Sequence, residues 1–360
     1  AEGNLVQLGY GARQRRIWTA ETDRTPAIAE SISREKDLTK SLLASCGVPV
    51  PEGRIVDGVE DAIEAADDIG FPVVIKPSDG NHARGVFTNV RSADEIRELY
   101  PLTAAEGSEV IVERFIRGAE HRLLVVGGKM VAANKGDMVS VVGDGEHSID
   151  ELIETQINSD PRRGVEHEFP LYLIKLDNYP AAQMEVARQG FTGVSVPAAG
   201  QEVMIVRTSN MAFDVTDEVH PDTAELACLA ARIVGLDIAG VDLVCEDISQ
   251  PLAGQQGAIV EVNAGPGLLM HIKPAVGQPR PVGEAIVDHL FAKDEDSRIP
   301  VVGVTGSRGK TPVARLIAHL LRISGQYTGL ACSEGVFLDG RQVETAEGTN
   351  WDAAERVLMN

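Results

Sequence analysis

Three oxygen-bearing side chains lie where two short apolar runs could bring them together. Glu261 and Asn263 are two residues apart in Ile-Val-Glu-Val-Asn, and Asp242 lies in the preceding run, Gly-Val-Asp-Leu-Val. Alternate residues of a strand share a face, so Glu261 and Asn263 point the same way. Three oxygens on adjacent strands suit Mg²⁺, which takes few protein ligands and shares the rest of its shell with phosphates and water. Ordinary acids on a half-solvated sheet face would account for Asp242 and Glu261. They would not account for Asn263 being followed at once by Ala-Gly-Pro-Gly, which exposes backbone donors just past the metal position.

A cation belongs beside such a site if the ligand is a phosphate. Lys76 closes the short apolar run Val-Val-Ile-Lys-Pro. Alone at a strand end it would be a solvated charge. The segment that follows, residues 78–86, holds Gly80, Gly85 and many polar side chains, and such a loop can bring backbone N–H groups close to phosphate oxygens.

A second glycine loop lies near the far end, in VVGVTGSRGKTPVARLIAHLL, read as an apolar strand, a loop and an amphipathic helix. A strict Walker A loop needs Gly six residues before the Lys, and Val304 is there instead. The spacing Gly306-x-x-Gly309-Lys310-Thr311 nevertheless resembles the loop of the Mur ligases. That resemblance implies Lys310 on phosphates, Thr311 on Mg²⁺ and the helix N-terminus adding its positive end. Ser307, Arg308 and Pro312 depart from the Mur pattern, although Pro is tolerated in a first helical turn.

The elements that must position these residues follow from periodicity and punctuation. A helix is expected from about Ser33 to Gly47, and another over VEDAIEAADDIG, ending at Gly70. FPVVIKP is a strand, followed past the loop by a strand ending near Val90. Ser92 with Glu95 three residues on is a capping box opening a helix. EVIVERFI is a strand, and RLLVV and KMVAA form a hairpin across Gly127-Gly128. Residues from about 137 to 220 are polar and turn-rich, an insertion or lid within the domain. A helix over about 222–234, two strands carrying Asp242 and Glu261, and a helix VGEAIVDHLF complete the first part. The fold class is therefore α+β or mixed α/β. Residues 1–292 form the first domain, 293–299 a charged linker, and 300–360 the start of a second α/β domain.

Composition bounds the rest. The 360 residues suffice for two or three domains, and 43% hydrophobic content allows a sizeable core. A net charge of −21 argues against nucleic acid and membrane surfaces as partners, since both would repel it. The four cysteines are scattered without a CxxC pair, which fits reduced thiols in a cytoplasmic protein. No signal peptide is visible, and Glu225, Arg232, Asp237 and Asp242 interrupt the most apolar stretch, which excludes it as a membrane span. The chain starts at Ala rather than Met, as a portion of a longer protein would.

The order VVIKPSDGNHARGV, VIVERFIRGAE, VDLV, IVEVNAGPG resembles the ATP-grasp superfamily, near the D-alanine–D-alanine ligase type. The resemblance implies ATP and Mg²⁺ as cofactors. It implies phosphate contacts for Lys36 and Lys76, a hinge beside the adenine beginning at Glu113, and a ribose contact for Glu120. It also implies metal ligation by Asp242, Glu261 and Asn263, and acceptor binding by His82, Gly265 and Gly267. D-alanine ligases carry an Arg two residues before the aspartate ligand, where this chain has Gly240. Arg122 is the candidate replacement cation at the transferred phosphoryl group and, with Lys76, a candidate catalytic residue.

An ATP-grasp core followed by a Mur-like loop resembles the cyanophycin synthetases. LVQLGYGARQRRIW, KPSDGNHARGV, INSDPRRG, EVNAGPGLLMHIKPAVG and TGLACSEGVFLDGRQVE carry that likeness, with Ala83 where the family has Gly. It implies two ATP-dependent steps on aspartate, arginine and a cyanophycin primer: backbone extension at the ATP-grasp site and Arg attachment at the Mur-like site. A homo-oligomer is expected. Too few residues follow the loop to complete a Mur-type domain, so only the aspartate-adding half is expected to be competent here. Two other readings stay open: a ligase that polymerises ready-made β-Asp-Arg dipeptide at the ATP-grasp site alone, and a non-catalytic binding fragment.

Overall fold

The computed structural model describes residues 3–78, 85–107, 109–136, 138–165, 169, 171–206 and 211–360. Two compact units emerge: Thr19–His289, and a second formed by residues 1–18 with Leu290–Asn360. The first eighteen residues group with the C-terminal segment rather than with the larger unit.

The larger unit is built on two antiparallel sheets. The first has five strands in the order Met211–Asp214, Lys129–Gly136, Ala119–Val126, Ile238–Cys245, Ala258–Asn263. Ala239, Val241, Leu243 and Cys245 face helix Pro221–Val234 and join the largest core cluster with Ala227, Ala230 and Val234. The alternate residues, Gly240 and Asp242 among them, point to the opposite face. That helix starts on Pro221 and stops on left-handed Gly235, whose N–H reaches the Ala231 carbonyl. The Gly127-Gly128 hairpin forms as expected, with both φ angles positive, at 57° and 76°.

The second sheet runs Gly53–Val56, Val110–Arg114, Val73–Pro77, Phe87–Val90. Helices Val59–Ile69 and Ala93–Ala104 bury Ala62, Ala65, Ile69, Ile96 and Leu99 against it. Ser92 caps the latter helix through the Glu95 N–H at 3.3 Å. The Glu95 carboxylate accepts instead from the Arg91 N–H and from Arg188, so only half of the capping box is made.

Three expectations need correction. The helix expected from Ser33 to Gly47 is two helices, Ala27–Arg34 and Lys36–Ser45, broken where Glu35 adopts ψ 89°. Ser33 and Thr39 return hydroxyl hydrogen bonds to the carbonyls of Glu30 and Ile32, so the carbonyls at the break are not orphaned. The segment around 137–220 is less polar than its composition implied. Its strands Val139–Val142 and Glu202–Val206 pair, and Ile149, Leu152, Ile153, Ala182, Val186 and Ile205 make a separate core. Ile149, Leu152, Ile153 and Ile157 follow Ser148 at helical spacing, a local signal that the polar, turn-rich composition of the whole segment outweighs. It docks on the second sheet through Arg188, which donates to Thr88 O and Glu95.

The third correction is in the smaller unit. Residues 301–305 form no strand, and Val301 and Val302 are 73% and 62% exposed. A strand exists only through paired backbone groups, and among the described residues none runs beside this segment. The helix expected after the loop is present, Lys310–Ile323, and is followed by a three-stranded antiparallel sheet, Gly329–Cys332, Gly335–Leu338, Arg341–Glu344. At the other end of this unit Tyr10 N–H donates to Ser297 O, and Arg15 pairs with Glu295. Of the four cysteines, Cys245 and Cys332 are buried and Cys46 is exposed.

Strand Ala119–Val126 enters its sheet through Gly118, at φ +119°, where a Cβ would lie 2.1 Å from the Cys245 carbonyl oxygen. Gly128, at φ +76°, has open space around the same position. Gly118→Ala should cost about 2–3 kcal/mol of stability and Gly128→Ala about 1 kcal/mol, read from urea-denaturation midpoints. Equal shifts for the two would contradict the close approach.

Candidate functional site

Register places five polar residues in one row across the larger sheet. Asp242 lies opposite Glu261 on one side and Arg122 on the other. Arg122 in turn lies opposite Asn134, and Asn134 opposite Asp214. Hydrogen bonds run along much of the row. Arg122 donates from Nε and Nη2 to the two Asp242 oxygens at 2.6 and 2.5 Å, and Asn263 Nδ2 donates to Asp242 Oδ2 at 3.0 Å. At the far end Asp214 receives Arg280, which also reaches Asp217.

Asp242 is buried, and burial pushes its carboxyl above the usual range against the opposing pull of Arg122. The same contact holds Arg122 ionised more firmly than usual. The fork geometry is that of a carboxylate with a guanidinium, so both groups carry charge. Arg122 spends Nε and Nη2 on Asp242, which leaves Nη1 for another oxygen.

Gly240 has a steric reason. A Cβ there would meet Pro266 Cβ at 2.8 Å, and Arg122 Cδ lies 3.8 Å from the same point. The turn carrying Gly265 and Gly267 closes over this strand, so no side chain fits at 240, and Arg122 occupies the neighbouring space. Gly265 takes φ +56°, and its absent Cβ would sit 3.2 Å from Glu21 Oε1. Glu21 is a neighbour of the turn that periodicity did not reveal.

Cations approach from two elements. Lys36 Nζ is 3.3 Å from Glu261 Oε1. Lys76 Nζ is 3.0 Å from Glu113 Oε2, and Lys40 contacts Glu113 Oε1. Glu113 is buried on its strand, between Gly53 and Val74, and holds both lysines rather than facing solvent. Lys40 went unnoticed in the sequence, although its spacing four residues after Lys36 on a helix was the available signal. Two more buried groups were also missed. Asn134 donates to the Met270 carbonyl, and His271 beside it is held neutral, down to about 4, by burial and then by Arg122.

The other expected positions are placed as follows. Gly85 takes φ +65° and its carbonyl accepts from Thr103 Oγ1 at 3.1 Å. Gly80 and His82 lie outside the described residues. Gly306, Gly309, Lys310 and Thr311 belong to the smaller unit. There Gly309 precedes the helix at φ +77°, Lys310 Nζ donates to Gly306 O, and Thr311 shares a hydrogen bond with Ser333.

The donor set fits Mg²⁺. Asp242, Glu261 and the Asn263 amide oxygen are hard oxygen donors on paired strands. Among the described residues no three His, Cys, Asp or Glu side chains gather into a metal cage, and the third donor here is an amide. No helix among them is long and apolar enough to cross a membrane.

Glu120 sits two residues before Arg122 on the same strand. Burial, then the Asp242 charge, raises its carboxyl from 4.5 to about 7. Between these two values the folded protein holds a proton that the unfolded chain does not. Glu120 therefore favours folding at low pH, and that contribution is lost as the pH rises through about 7. Glu120→Gln should raise the melting temperature of the nucleotide-free protein by a few degrees on the alkaline side of this value and little on the acidic side. A pH-independent shift would contradict the assignment.

Comparison with known proteins agrees with this architecture. Residues 35–168 match the family model for the carbamoyl-phosphate synthase L chain, ATP binding domain. The chain is 41% identical to a cyanophycin synthetase of Trichormus variabilis, over 99% of this chain and 40% of the relative. It is 30% identical to the glutathione biosynthesis bifunctional protein GshAB of Clostridium perfringens, over 80% of this chain and 38% of that one. Among solved structures, a bifunctional glutathione synthetase from Pasteurella multocida superposes with a TM-score of 0.53 at 29% identity, covering 80% of this chain and 40% of that one. The chain thus has a mixed α/β, ATP-grasp-like fold and matches the cyanophycin synthetases over nearly all of its own length, while spanning about 40% of theirs.

Proposed function

We propose that this chain carries the ATP-dependent acid–amino-acid ligase site of a cyanophycin synthetase, which extends a poly-aspartate backbone. The observation that carries the reading is that Lys36 and Arg122 pair with Glu261 and Asp242 in the row of the larger sheet, while Lys76 pairs with buried Glu113 on the second sheet. In a chain of net charge −21, cations gathered here and each held by a carboxylate are positioned to be shared with the phosphates of an anionic ligand.

Carboxylate and amine do not condense in water at neutral pH, so the carboxylate must first be activated. In the proposed reaction a primer carboxylate oxygen attacks the γ-phosphorus of ATP, and ADP leaves. The amine nitrogen of aspartate then attacks the carbonyl carbon of the acyl phosphate, and phosphate leaves. Lys36, Lys76 and the unspent Nη1 of Arg122 supply fixed positive charge where the transferred group gathers negative charge. Mg²⁺, held by Asp242, Glu261 and Asn263, would neutralise phosphate charge when bound. The turn at Gly265 and Gly267 offers backbone donors to the acceptor, and the segment around 137–220 serves as the cover that excludes water.

Attachment of arginine at the Gly306–Thr311 loop is a separate proposal. Ser307, Arg308 and Pro312, together with the missing strand before the loop, favour a second reading in which only the ATP-grasp site works, on β-Asp-Arg dipeptide.

Phosphate release measured with primer, ATP and Mg²⁺ should depend on free aspartate. Dependence on the dipeptide instead would favour the second reading, and release with neither would leave no ligase. Lys76→Ala should abolish binding of a non-hydrolysable ATP analogue. Unchanged affinity would sink the nucleotide site itself.

A further inference from the structure

Glu113 has two carboxylate oxygens, and each is taken by a different lysine. Lys40 holds Oε1 and Lys76 holds Oε2. The side chain of Glu113 is 4% exposed and those of Lys40 and Lys76 are 11% exposed. Lys40 sits one helical turn beyond Lys36, so both lysines leave the same face of helix Lys36–Ser45. Lys36 goes to Glu261, and Lys40 goes to Glu113 on the other sheet. Three lysines therefore gather around the carboxylates of Glu113 and Glu261, with Glu120 also acting on Lys76.

A carboxylate buried this deeply is costly without a counter-ion, and a lone lysine beside it is held tightly. If Lys76 were the only partner of Glu113, turning its ammonium to a phosphate would strand the carboxylate. Lys40 removes that obstacle, because Glu113 keeps a cation when Lys76 leaves.

We propose that Lys40 is a positioning residue of the nucleotide site: it holds Glu113 so that the Lys76 ammonium is free to engage the phosphates of a nucleoside triphosphate. Lys40 touches neither phosphate nor metal in this scheme. It acts wholly through Glu113. The proposal rests on the nucleotide reading above and adds a residue to it.

The test is a double-mutant cycle on the whole chain, read as the dissociation constant of a Mg²⁺-bound, non-hydrolysable ATP analogue by calorimetry. Lys40→Met should weaken binding about tenfold, as loss of one nearby charge in a partly buried site implies. Lys40→Arg should restore most of it, because a cation again faces Glu113. In a Glu113→Gln background, Lys40→Met should change affinity little, since no carboxylate remains to be held. An equal loss in both backgrounds overturns the proposal, for Lys40 would then act independently of Glu113. Wild-type affinity in Lys40→Met overturns it too. If Lys40→Met fails to fold, comparing Lys40→Arg with Lys40→Gln, each with and without Glu113→Gln, closes the same cycle. Failure of the wild-type chain to bind the analogue would remove the nucleotide reading as well, whereas binding without coupling removes only the role of Lys40.

Discussion

The buried carboxylate of Asp242 is the constraint around which the larger unit is arranged. A charge on the fourth of five strands, with helix Pro221–Val234 behind it, is tolerated only if its oxygens are fully engaged. Arg122 meets it from the neighbouring strand in a fork, and Asn263 from the other side. All three lie on adjacent strands of one antiparallel sheet, so their spacing is fixed by backbone register. Loss of that register by a single residue would turn the whole row into the hydrophobic core.

The same need for neutralisation explains the lysines. Lys36 lies against Glu261, and Lys40 and Lys76 against Glu113. Positive charge is thereby concentrated at the junction of two sheets within a strongly acidic chain. The break at Glu35 contributes, because it makes Lys36 the first residue of a new helix. A helix start carries a partial positive charge of its own, which adds to that of the lysines. Gly240 contributes by absence: the turn at Pro266 fills its side-chain space, and Arg122 supplies the cation from the adjacent strand.

The two units show different degrees of local closure. In the larger one, three cores lie under three sets of strands, and helix Pro180–Arg188 ties the inserted segment to the second sheet through Arg188. In the smaller one, the glycine loop and its helix are in place, but Val301, Val302, Leu316 and Leu320 are exposed. The apolar run before the loop has the composition of a buried strand and lacks a partner among the described residues.

Short-range chemistry was legible in the sequence. Period-two alternation placed Glu261 and Asn263 on one face, the glycine pair fixed the hairpin, and Ser92 marked a helix start. Gly47 and Gly70 marked helix ends. The oxygen donors and Lys76 were nameable from the short apolar runs that carry them, whereas Lys36 and Arg122 were named only through the resemblance to the ATP-grasp superfamily. Pairing was not legible. That Asp242 faces Arg122, that Glu113 is shared by two lysines, and that the 137–220 segment builds its own core all depend on residues far apart in the chain meeting. Such contacts are set by strand register and burial, which are collective properties of the packed sheets. A linear pattern carries the type of each group, and only the folded chain decides which charge neutralises which.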